Sequence, residues 1–274
     1  MYKLGWFSTG RGEGSRGLLR AIHDAISSGE INAGIEFVFC SRERGETDAT
    51  DIFLDMVNDY HLPLVSLSYR KFKSGRPDAD DEGNLSPWRI DYDREVMKHL
   101  RGFRPDLCVL AGYMLIVGPE MCRDYDMINL HPAAPGGPKG TFQQVIWQLI
   151  ENEAERTGVM MHLVTPELDE GPPVSYCTFP IRGGPFDDFW RDMDKHSVEE
   201  VKKTRGQQNE LFRAIRKHGY ARELPLIIET IRAFSEAKIR VTPDKKLVNA
   251  DGNPIKGYDL TAEVDRIVKG ALAE

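Results

Sequence analysis

The stretch Leu107–Ala111 reads Leu-Cys-Val-Leu-Ala and contains no polar residue. A strand that is apolar along its whole length is typical of the middle of a parallel sheet, where helices cover both faces. We therefore expect strands and helices to alternate on either side of this stretch.

The rest of the first half shows this alternation. Short apolar runs are followed by segments in which apolar residues recur every three or four positions. The predicted strands are Lys3–Ser8, Ile35–Cys40, Pro63–Leu67, Leu107–Ala111 and Met127–His131, and the predicted helices are Leu18–Ser27, Ile52–Tyr60 and Asp93–Gly102. The pattern predicts an α/β fold: an open, mostly parallel twisted sheet with helices on both faces, of the Rossmann-like kind.

The second half is organised differently. It predicts a helix at Thr141–Asn152, strands at Val159–Thr165 and Val174–Pro180, an amphipathic helix at Leu224–Ala237, and a hairpin at Ile239–Tyr258 with Asp251-Gly252 in its turn. Two charged segments interrupt the order. Ser68–Pro87 is expected to be a long surface loop, and Phe186–Lys217 to be helical in part. We expect one domain, residues 1–274, that ends in a helix and hairpin extension.

Composition excludes several classes of function. The 274 residues hold 36 Lys and Arg against 43 Asp and Glu, a formal charge of −7, so a basic face for nucleic acid is not expected. The chain has no apolar run of the roughly 18 residues that span a membrane, and its first residues turn polar too soon for a secretory signal. We expect a cytoplasmic protein that binds neither nucleic acid nor membranes.

The four cysteines are scattered through the chain. Cys40, Cys108, Cys122 and Cys177 form no Cys-x-x-Cys pair, and no cluster with the spacing of a zinc site is evident. Cysteines within or at the end of apolar runs usually behave as small core residues. We interpret all of them as structural and expect no metal.

A glycine-rich segment, residues 10–17, separates the first predicted strand from the first predicted helix. It reads Gly-Arg-Gly-Glu-Gly-Ser-Arg-Gly. Glycines allow a backbone to fold closely around an anion, and a helix N-terminus offers free N–H groups to a phosphate. Gly14, Ser15 and Arg16 are the candidates for such a site. A plain tight turn is the alternative, because neither the Walker nor the dinucleotide-binding spacing is present.

Asn129 and His131 are the clearest candidates for chemistry. Alternate residues of a strand share a face, so both side chains point the same way at the carboxyl end of a predicted strand that Pro132 terminates. Open α/β sheets bind their ligands at that end. An amide beside an imidazole suits a carbonyl reaction, because one stabilises an oxyanion and the other moves a proton. The alternative is a structural histidine at a strand end.

An acidic turn supplies a third partner for these two residues. Glu167, Asp169 and Glu170 lie between two predicted strands. A carboxylate near His131 would stabilise the imidazolium form or relay a proton through water. Spacing alone does not choose among the three acids.

Three motifs, taken in order, resemble the folate-dependent formyltransferases. They are Leu110–Met114 (Leu-Ala-Gly-Tyr-Met), Asn129–Pro132 (Asn-Leu-His-Pro) and Val164–Pro172 (Val-Thr-Pro-Glu-Leu-Asp-Glu-Gly-Pro). The similarity extends from Lys3 to about Pro180 and resumes at Leu224–Glu229 and Pro254–Tyr258. It is greatest to the members that formylate the amine of glycinamide ribonucleotide in purine synthesis.

The resemblance implies an activity and a set of residues. The co-substrate would be 10-formyltetrahydrofolate, with no metal, and Asn129, His131 and Asp169 would be catalytic. Residues 1–131 would form a nucleotide- and phosphate-binding half, and residues 132–274 a folate-binding half. The implied folate contacts are Met114, Leu115, Ile116, Val117, Val164, Glu167 and Leu168, and the implied substrate contacts are Gly14, Ser15, Arg16, Arg89, Gly112 and Pro132.

The chain departs from the family pattern mainly around the acceptor. Arg16 stands where relatives carry an asparagine of the phosphate site, and Leu115 where they often carry an arginine. An acid of the family's acceptor site aligns only loosely, near Tyr220 or Glu223. Formylation of another amine, such as an amino-sugar nucleotide, therefore stays open. Two further alternatives are hydrolysis of the folate and a folate- or nucleotide-binding protein without activity.

Overall fold

A computed structural model describes residues 1–76, 85–167 and 170–271 of the chain. Within these ranges the strands are β1 (Tyr2–Ser8), β2 (Ala33–Cys40), β3 (Leu64–Ser66), β4 (Leu107–Leu110), β5 (Met127–His131), β6 (Arg156–Leu163), β7 (Pro173–Pro180), β8 (Ile239–Val241), β9 (Leu247–Asn249) and β10 (Tyr258–Asp259). The α-helices are α1 (Glu13–Ser27), α2 (Asp48–Asp59), α3 (Tyr69–Lys73), α4 (Pro87–His99), α5 (Pro119–Asp124), α6 (Phe142–Glu151), α7 (Phe186–Met193), α8 (Val198–Thr204), α9 (Glu210–Ser235) and α10 (Thr261–Ala271). An eight-stranded, mostly parallel sheet confirms the predicted α/β class.

The described chain divides into two compact units. The first comprises the described residues of Met1–Asn129, Leu163–Pro172 and Ile231–Ile255, and the second those of Leu130–His162, Pro173–Thr230 and 256–271. Each unit is thus assembled from separate stretches of the sequence. The functional division at residue 131 stays a prediction.

The first unit is built on parallel strands in the order β3-β2-β1-β4-β5. β1 lies in the middle of this row, and its Trp6 is opposite Val38 of β2 and Val109 of β4. Trp6 and Phe7 are completely buried. The parallel alignment places the carboxyl ends of β1 and β4, and the segments that follow them, at the same edge.

Aromatic side chains form much of the core of this unit. Phe7 makes edge-on contacts with Phe37 and Tyr113, at centroid distances of 5.6 and 5.7 Å. Helix α4 adds Tyr92 and Val96, both fully buried, to the same cluster. Burial of a side chain of this size stabilises a fold by about 1.5–3 kcal/mol. The cluster therefore fixes α4 and the segment around Tyr113 relative to β1.

The second unit combines two antiparallel strands with a helical core. β6 pairs antiparallel with β7, and β10 adds to β7 in parallel. Buried residues of α6, α7 and α9 pack into one apolar cluster. Trp190 is part of it, and its indole N–H donates to the carbonyl of Ile181 at 2.5 Å. The charged segment predicted to be helical in part is therefore largely helical and covers a core of its own.

The C-terminal hairpin was predicted with its turn in the wrong place. The chain reverses between β8 and β9, where the Thr242 N–H donates to the Lys246 carbonyl at 2.8 Å and Lys245 has a φ of 59°. Asp251-Gly252 turns the chain after β9, around the Asn249 side chain, which accepts from two backbone N–H groups. Asp251-Gly252 does form a turn. The hairpin turn lies upstream of it, where the Thr242 hydroxyl and the left-handed Lys245 form it.

Four helix starts were also predicted wrongly. α1 begins at Glu13, not Leu18, and α2 begins at Asp48, not Ile52. α4 begins at Pro87, not Asp93, because proline is well suited to the first helical position. α9 begins at Glu210, not Leu224, and includes Pro225 in its interior. Part of the predicted Ser68–Pro87 loop is the short helix α3, which the Ser68 hydroxyl caps. Residues 77–84 of that predicted loop lie outside the described ranges.

The four cysteines are buried and unpaired by disulfides. Burial raises the pKa of the Cys40 thiol to about 11 and those of Cys122 and Cys177 to about 12, and it raises the pKa of Cys108 further. Each thiol is therefore neutral near pH 7.

Among the described residues, no helix combines the length and the apolar character that crossing a bilayer requires.

A close approach within the second unit yields the first testable prediction. A Cβ atom on Gly158 would lie 2.3 Å from the Cys177 carbonyl oxygen of the paired strand. Because that neighbour is backbone, Gly158→Ala should lower the free energy of unfolding by about 1–3 kcal/mol. Gly102→Ala is the control, since a Cβ there meets nothing within 4 Å. Equal urea midpoints for the two variants would contradict the close approach of β6 and β7 at Gly158.

Candidate functional site

The glycine-rich segment is held in a defined conformation between β1 and α1. Gly10 has a φ of 61°, its N–H donates to the Ser8 hydroxyl at 3.1 Å, and its carbonyl accepts from the Thr50 hydroxyl at 3.3 Å. Gly12 precedes α1 and provides no side-chain cap. The N–H groups of the first helical turn therefore have no partner within the helix. A backbone of this kind can accept an anion.

The segments that follow β1 and β4 are in contact with each other. The Thr9 N–H donates to the Gly112 carbonyl at 3.1 Å, and a Cβ on Gly112 would lie 2.7 Å from the Ser15 hydroxyl oxygen. The Thr9 hydroxyl accepts from the Met114 N–H and from the Ser41 hydroxyl, both at 3.1 Å. Of the predicted substrate residues, Ser15 and Gly112 are thus brought together.

Arg16 is directed along the helix, toward α2. Its Nε and Nη2 donate to the Glu13 carboxylate at 3.1 and 2.8 Å, and its Nη1 donates to the Ala49 carbonyl at 3.4 Å. The Arg16 guanidinium holds the pKa of the exposed Glu13 carboxyl below its usual value. The charge predicted to serve a phosphate is therefore engaged by a neighbouring carboxylate.

Arg89 is buried on α4 and likewise bonded to protein groups. Its Nη2 donates to Asp93 Oδ1 at 2.8 Å and to the Ile116 carbonyl at 2.5 Å, and its Nε donates to the same carbonyl at 3.2 Å. The remaining nitrogen, Nη1, is buried and has no hydrogen-bond partner in the part of the chain that the structure describes. Arg89 thus contacts the predicted folate segment.

That segment, Met114–Val117, presents alternate side chains to the surface. Met114 is 59% exposed and Ile116 is 38% exposed, whereas Val117 is buried in the aromatic core. Val164 packs on the same core, and its N–H donates to the Met127 carbonyl at 2.8 Å. Exposed apolar side chains beside a buried anchor form a surface on which a flat aromatic ring can lie.

His131 lies at the end of β5 with its ring almost fully buried. Its Nε2 is 2.9 Å from the Pro138 carbonyl, so this nitrogen carries the proton. The ring of His162, equally buried, meets that of His131 edge to face at a centroid distance of 6.2 Å. Asn129, two residues earlier on β5, is half-buried. Both predicted residues thus lie at the carboxyl end of a parallel strand.

The acidic turn is described only in part. The Thr165 hydroxyl donates to the Glu167 carbonyl at 3.1 Å, and the Leu163 N–H donates to the Pro172 carbonyl at 2.9 Å. Leu168 and Asp169 lie outside the described residues, so their predicted roles stay predictions.

Pro132 lines a small cleft of the second unit, together with Phe142, Thr157 and Arg216. The Arg216 guanidinium lies over the Phe142 and Tyr220 rings, 4.4 and 4.9 Å from their centroids, and donates to Glu223 at 2.6 Å. Burial raises the pKa of the Glu223 carboxyl, and the charge of Arg216 opposes that increase. Tyr220 and Glu223, near which the acid of the family's acceptor site aligns, therefore both contact Arg216.

Three residues illustrate contacts of the predicted residues that the sequence analysis missed. They are Thr9, which holds Met114; Asp93, which holds Arg89; and His162, which contacts His131. The only sequence signal for Thr9 was its position directly after a strand. The signal for Asp93 was its spacing of four residues from Arg89, which puts both on one helix face. His162 lies within an apolar strand, where a histidine gives no signal of its partner.

Comparison with known proteins assigns the chain to a class. Residues 12–184, more than half of the chain, match the formyl transferase family. The chain therefore belongs to the formyl transferase family. Its fold agrees with that of phosphoribosylglycinamide formyltransferase from Coxiella burnetii, with a TM-score of 0.66 at 20% identity over 94% of this chain and 98% of that chain.

Two curated relatives carry the same specific name. Phosphoribosylglycinamide formyltransferase of Escherichia coli (strain K12) is 29% identical over 180 residues, which are 65% of this chain and 73% of the relative. The enzyme of that name from Dictyostelium discoideum is 29% identical over 173 residues, 60% of this chain and 78% of the relative. The family resemblance inferred from the three motifs is confirmed.

The contacts of Thr9 yield a prediction for the site. Thr9→Val removes the acceptor for the Met114 N–H and the Ser41 hydroxyl while keeping the shape of the side chain. Since Thr9 and Ser41 are buried, the variant should lose about 1–3 kcal/mol of unfolding free energy. Thr9→Ser retains the hydroxyl and should lose less. Thermal unfolding of the two variants measures the difference, and a Thr9→Val protein as stable as Thr9→Ser would contradict the assigned bonds.

The Arg216–Glu223 pair yields a prediction for pH. Arg216→Met leaves the mostly buried Glu223 carboxylate without its counter-ion, so the variant should be less stable than wild type by about 1–3 kcal/mol at pH 7.5. The pKa of Glu223 is already raised in the folded state, so its carboxyl takes up a proton as pH falls. The loss of unfolding free energy in Arg216→Met is therefore present where Glu223 is ionised, and it disappears once the proton binds. Urea unfolding at pH 7.5 and pH 5 measures the change.

Arg191→Met is the matched control for this experiment, because Arg191 pairs with Asp188 at the exposed surface of α7. Its effect should be small at both pH values. A loss for Arg216→Met that stays constant between the two pH values would count against the pairing.

Proposed function

We propose that the protein transfers the formyl group of 10-formyltetrahydrofolate to the amine of glycinamide ribonucleotide, a step of purine synthesis. The observation that carries the proposal is the Asn129-Leu130-His131-Pro132 motif at the carboxyl end of β5, in a chain that belongs to the formyl transferase family. Curated relatives bear the name of this activity.

The folate would bind to the first unit at the Met114–Val117 segment. Met114 and Ile116 offer exposed apolar side chains, and Leu115 and Val117 anchor them in the core. Val164, Glu167 and Leu168 of the acidic turn would complete the contacts to the ring system. Backbone N–H and C=O groups of such segments suit the amide-like edge of a pteridine, while the apolar side chains cover its face.

The acceptor would carry its phosphate to the amino end of α1. Gly14, Ser15 and the neighbouring Gly112 would supply backbone N–H groups and a hydroxyl there. Arg16 would have to exchange its bonds to Glu13 for bonds to the phosphate. Pro132, at the cleft that Arg216 borders, completes the proposed substrate set. The resemblance also implies a phosphate contact for Arg89, whose guanidinium bonds to Asp93 and to the Ile116 carbonyl.

The reaction needs one addition and one elimination. The neutral amine attacks the formyl carbon and gives a tetrahedral intermediate with a negative oxygen. Asn129 and protonated His131 would stabilise that oxygen by donating hydrogen bonds. Collapse of the intermediate breaks the bond from carbon to the folate nitrogen, which takes up the proton that the amine loses. Asp169 would keep His131 charged and help to move that proton through water.

The substrates are small water-soluble molecules, and we place the reaction in the cytoplasm. No step of it requires a nucleic acid, a membrane or a metal ion.

Turnover of 10-formyltetrahydrofolate, with and without glycinamide ribonucleotide, tests the proposal directly. We expect consumption only when the ribonucleotide is present, with formylated ribonucleotide as product. Equal consumption without it would overturn the proposal in favour of a hydrolase. No consumption with glycinamide ribonucleotide, but consumption with an amino-sugar nucleotide, would overturn the assignment of the acceptor.

His131→Ala tests the chemistry. We expect kcat to fall by about 10²–10³-fold, the range typical of a lost hydrogen-bond donor to an oxyanion. Tetrahydrofolate affinity, measured by titration calorimetry, should stay that of wild type because His131 bonds to the formyl oxygen, which tetrahydrofolate lacks. His99→Ala, at the exposed end of α4, is the control and should leave kcat unchanged. Unchanged turnover in His131→Ala would exclude the mechanism.

A further inference from the structure

Two side chains of α4 bond to the backbone of the segment that follows β4. Arg89 donates to the Ile116 carbonyl through Nε at 3.2 Å and through Nη2 at 2.5 Å. Asp93, one helical turn later, accepts from the Gly118 N–H at 2.6 Å. The peptide groups on either side of Val117 are therefore both bound by α4.

The two side chains also bond to each other. Arg89 Nη2 is 2.8 Å from Asp93 Oδ1, while the other carboxylate oxygen serves Gly118. Their exposed fractions are 6% and 2%. The Arg89 guanidinium further lies over the rings of Trp88 and Tyr92, 5.3 and 5.1 Å from their centroids. This pair, which we term the α4 clamp, is therefore fixed by packing as well as by charge.

Close packing extends to the far end of the segment. A Cβ atom on Gly118 would lie 3.1 Å from Asp93 Oδ2 and 3.3 Å from Leu85. The backbone of Gly118 thus approaches the carboxylate more closely than other residue types readily allow. At the other end, the Thr9 hydroxyl holds the Met114 N–H. A segment without regular secondary structure is fixed at Met114, Ile116 and Gly118.

We propose that Arg89 and Asp93 are positioning residues that hold Met114–Gly118 in the shape that binds the folate donor. This role rests on the proposed function and deepens it. Arg89 acts on the donor through the Ile116 peptide group. The role differs from the phosphate contact that the sequence resemblance implies for Arg89.

The clamp lowers the cost of ordering the segment. A loop that is already in its bound conformation loses little conformational freedom when a ligand arrives, and the affinity gains accordingly. Lysine cannot reproduce the clamp, because a single ammonium lacks the planar fork with which Arg89 reaches a carbonyl and a carboxylate together. Arg89→Lys keeps the charge opposite Asp93, so the fold should be retained.

The experiment compares Arg89→Lys and Asp93→Asn with wild type. We expect the dissociation constant for tetrahydrofolate and the KM for the formyl donor to rise about 10- to 100-fold, the ratio for loss of one charge-assisted hydrogen bond. The KM for the acceptor should change far less. Hydrogen exchange of the backbone amides at residues 114–118 should speed up, while exchange in β1 stays that of wild type.

Arg94→Lys is the matched control. Arg94 lies on the same helix but forms an exposed pair with Glu120, so its substitution should alter none of these quantities. A rise in the acceptor KM alone in Arg89→Lys would overturn the proposal and favour the phosphate contact. Unchanged tetrahydrofolate affinity and unchanged exchange at residues 114–118 would overturn it as well.

The two proposals fail in distinguishable ways. Tetrahydrofolate binding can be measured without the acceptor. If wild type and Arg89→Lys bind tetrahydrofolate equally well, only the role of the clamp is refuted. A wild-type protein that binds no tetrahydrofolate would refute the proposed function and the clamp together. Asp93→Asn keeps an oxygen for Gly118 and nearly the same volume, so it provides a second variant for the same readouts.

Discussion

Parallel pairing of β1 with strands on both sides is the interaction on which the first unit depends. β1 bonds to β2 along its whole length and to β4 over Leu4–Phe7, and its central side chains are excluded from water. The buried peptide groups have few partners other than the neighbouring strands, so the register is fixed once the side chains are packed. The same register sets the end of β1 beside the end of β4. Thr9 and Gly112 meet for that reason, and the glycine segment and the Met114–Val117 segment begin from one point.

The fold was predictable where burial alone determines the structure. Leu107–Ala111 is apolar because both faces of β4 are covered, and a pattern of this kind needs no knowledge of the neighbours. The errors occur where one local signal competes with another. Pro225 is a helix breaker by propensity, but α9 continues through it because Leu226 and Ile227 on the following turn are buried. The hairpin turn was misplaced because an aspartate-glycine pair is a stronger sequence signal than a lysine in a left-handed conformation.

The candidate site was predictable in its chemistry but less so in its contacts. A strand end that carries Asn129 and His131 is visible in one chain, because the strand period and the terminating proline are local features. The sequence offers no comparable indication that Arg16 bonds to Glu13 or that Arg89 bonds to Ile116. Such bonds depend on which groups the folded chain brings within about 3 Å, and the sequence does not show which group an arginine will bond to. An arginine near a binding segment can therefore act on the protein itself.

The burial of the cysteines has a practical consequence for work with this protein. Thiol-reactive reagents attack the thiolate, and all four native thiols are both covered and held in the neutral form. The four native thiols therefore should not react with a thiol-directed label. A single cysteine introduced on the surface, for example next to the Met114–Val117 segment, would carry a fluorophore or spin label alone, without removal of any residue from the core.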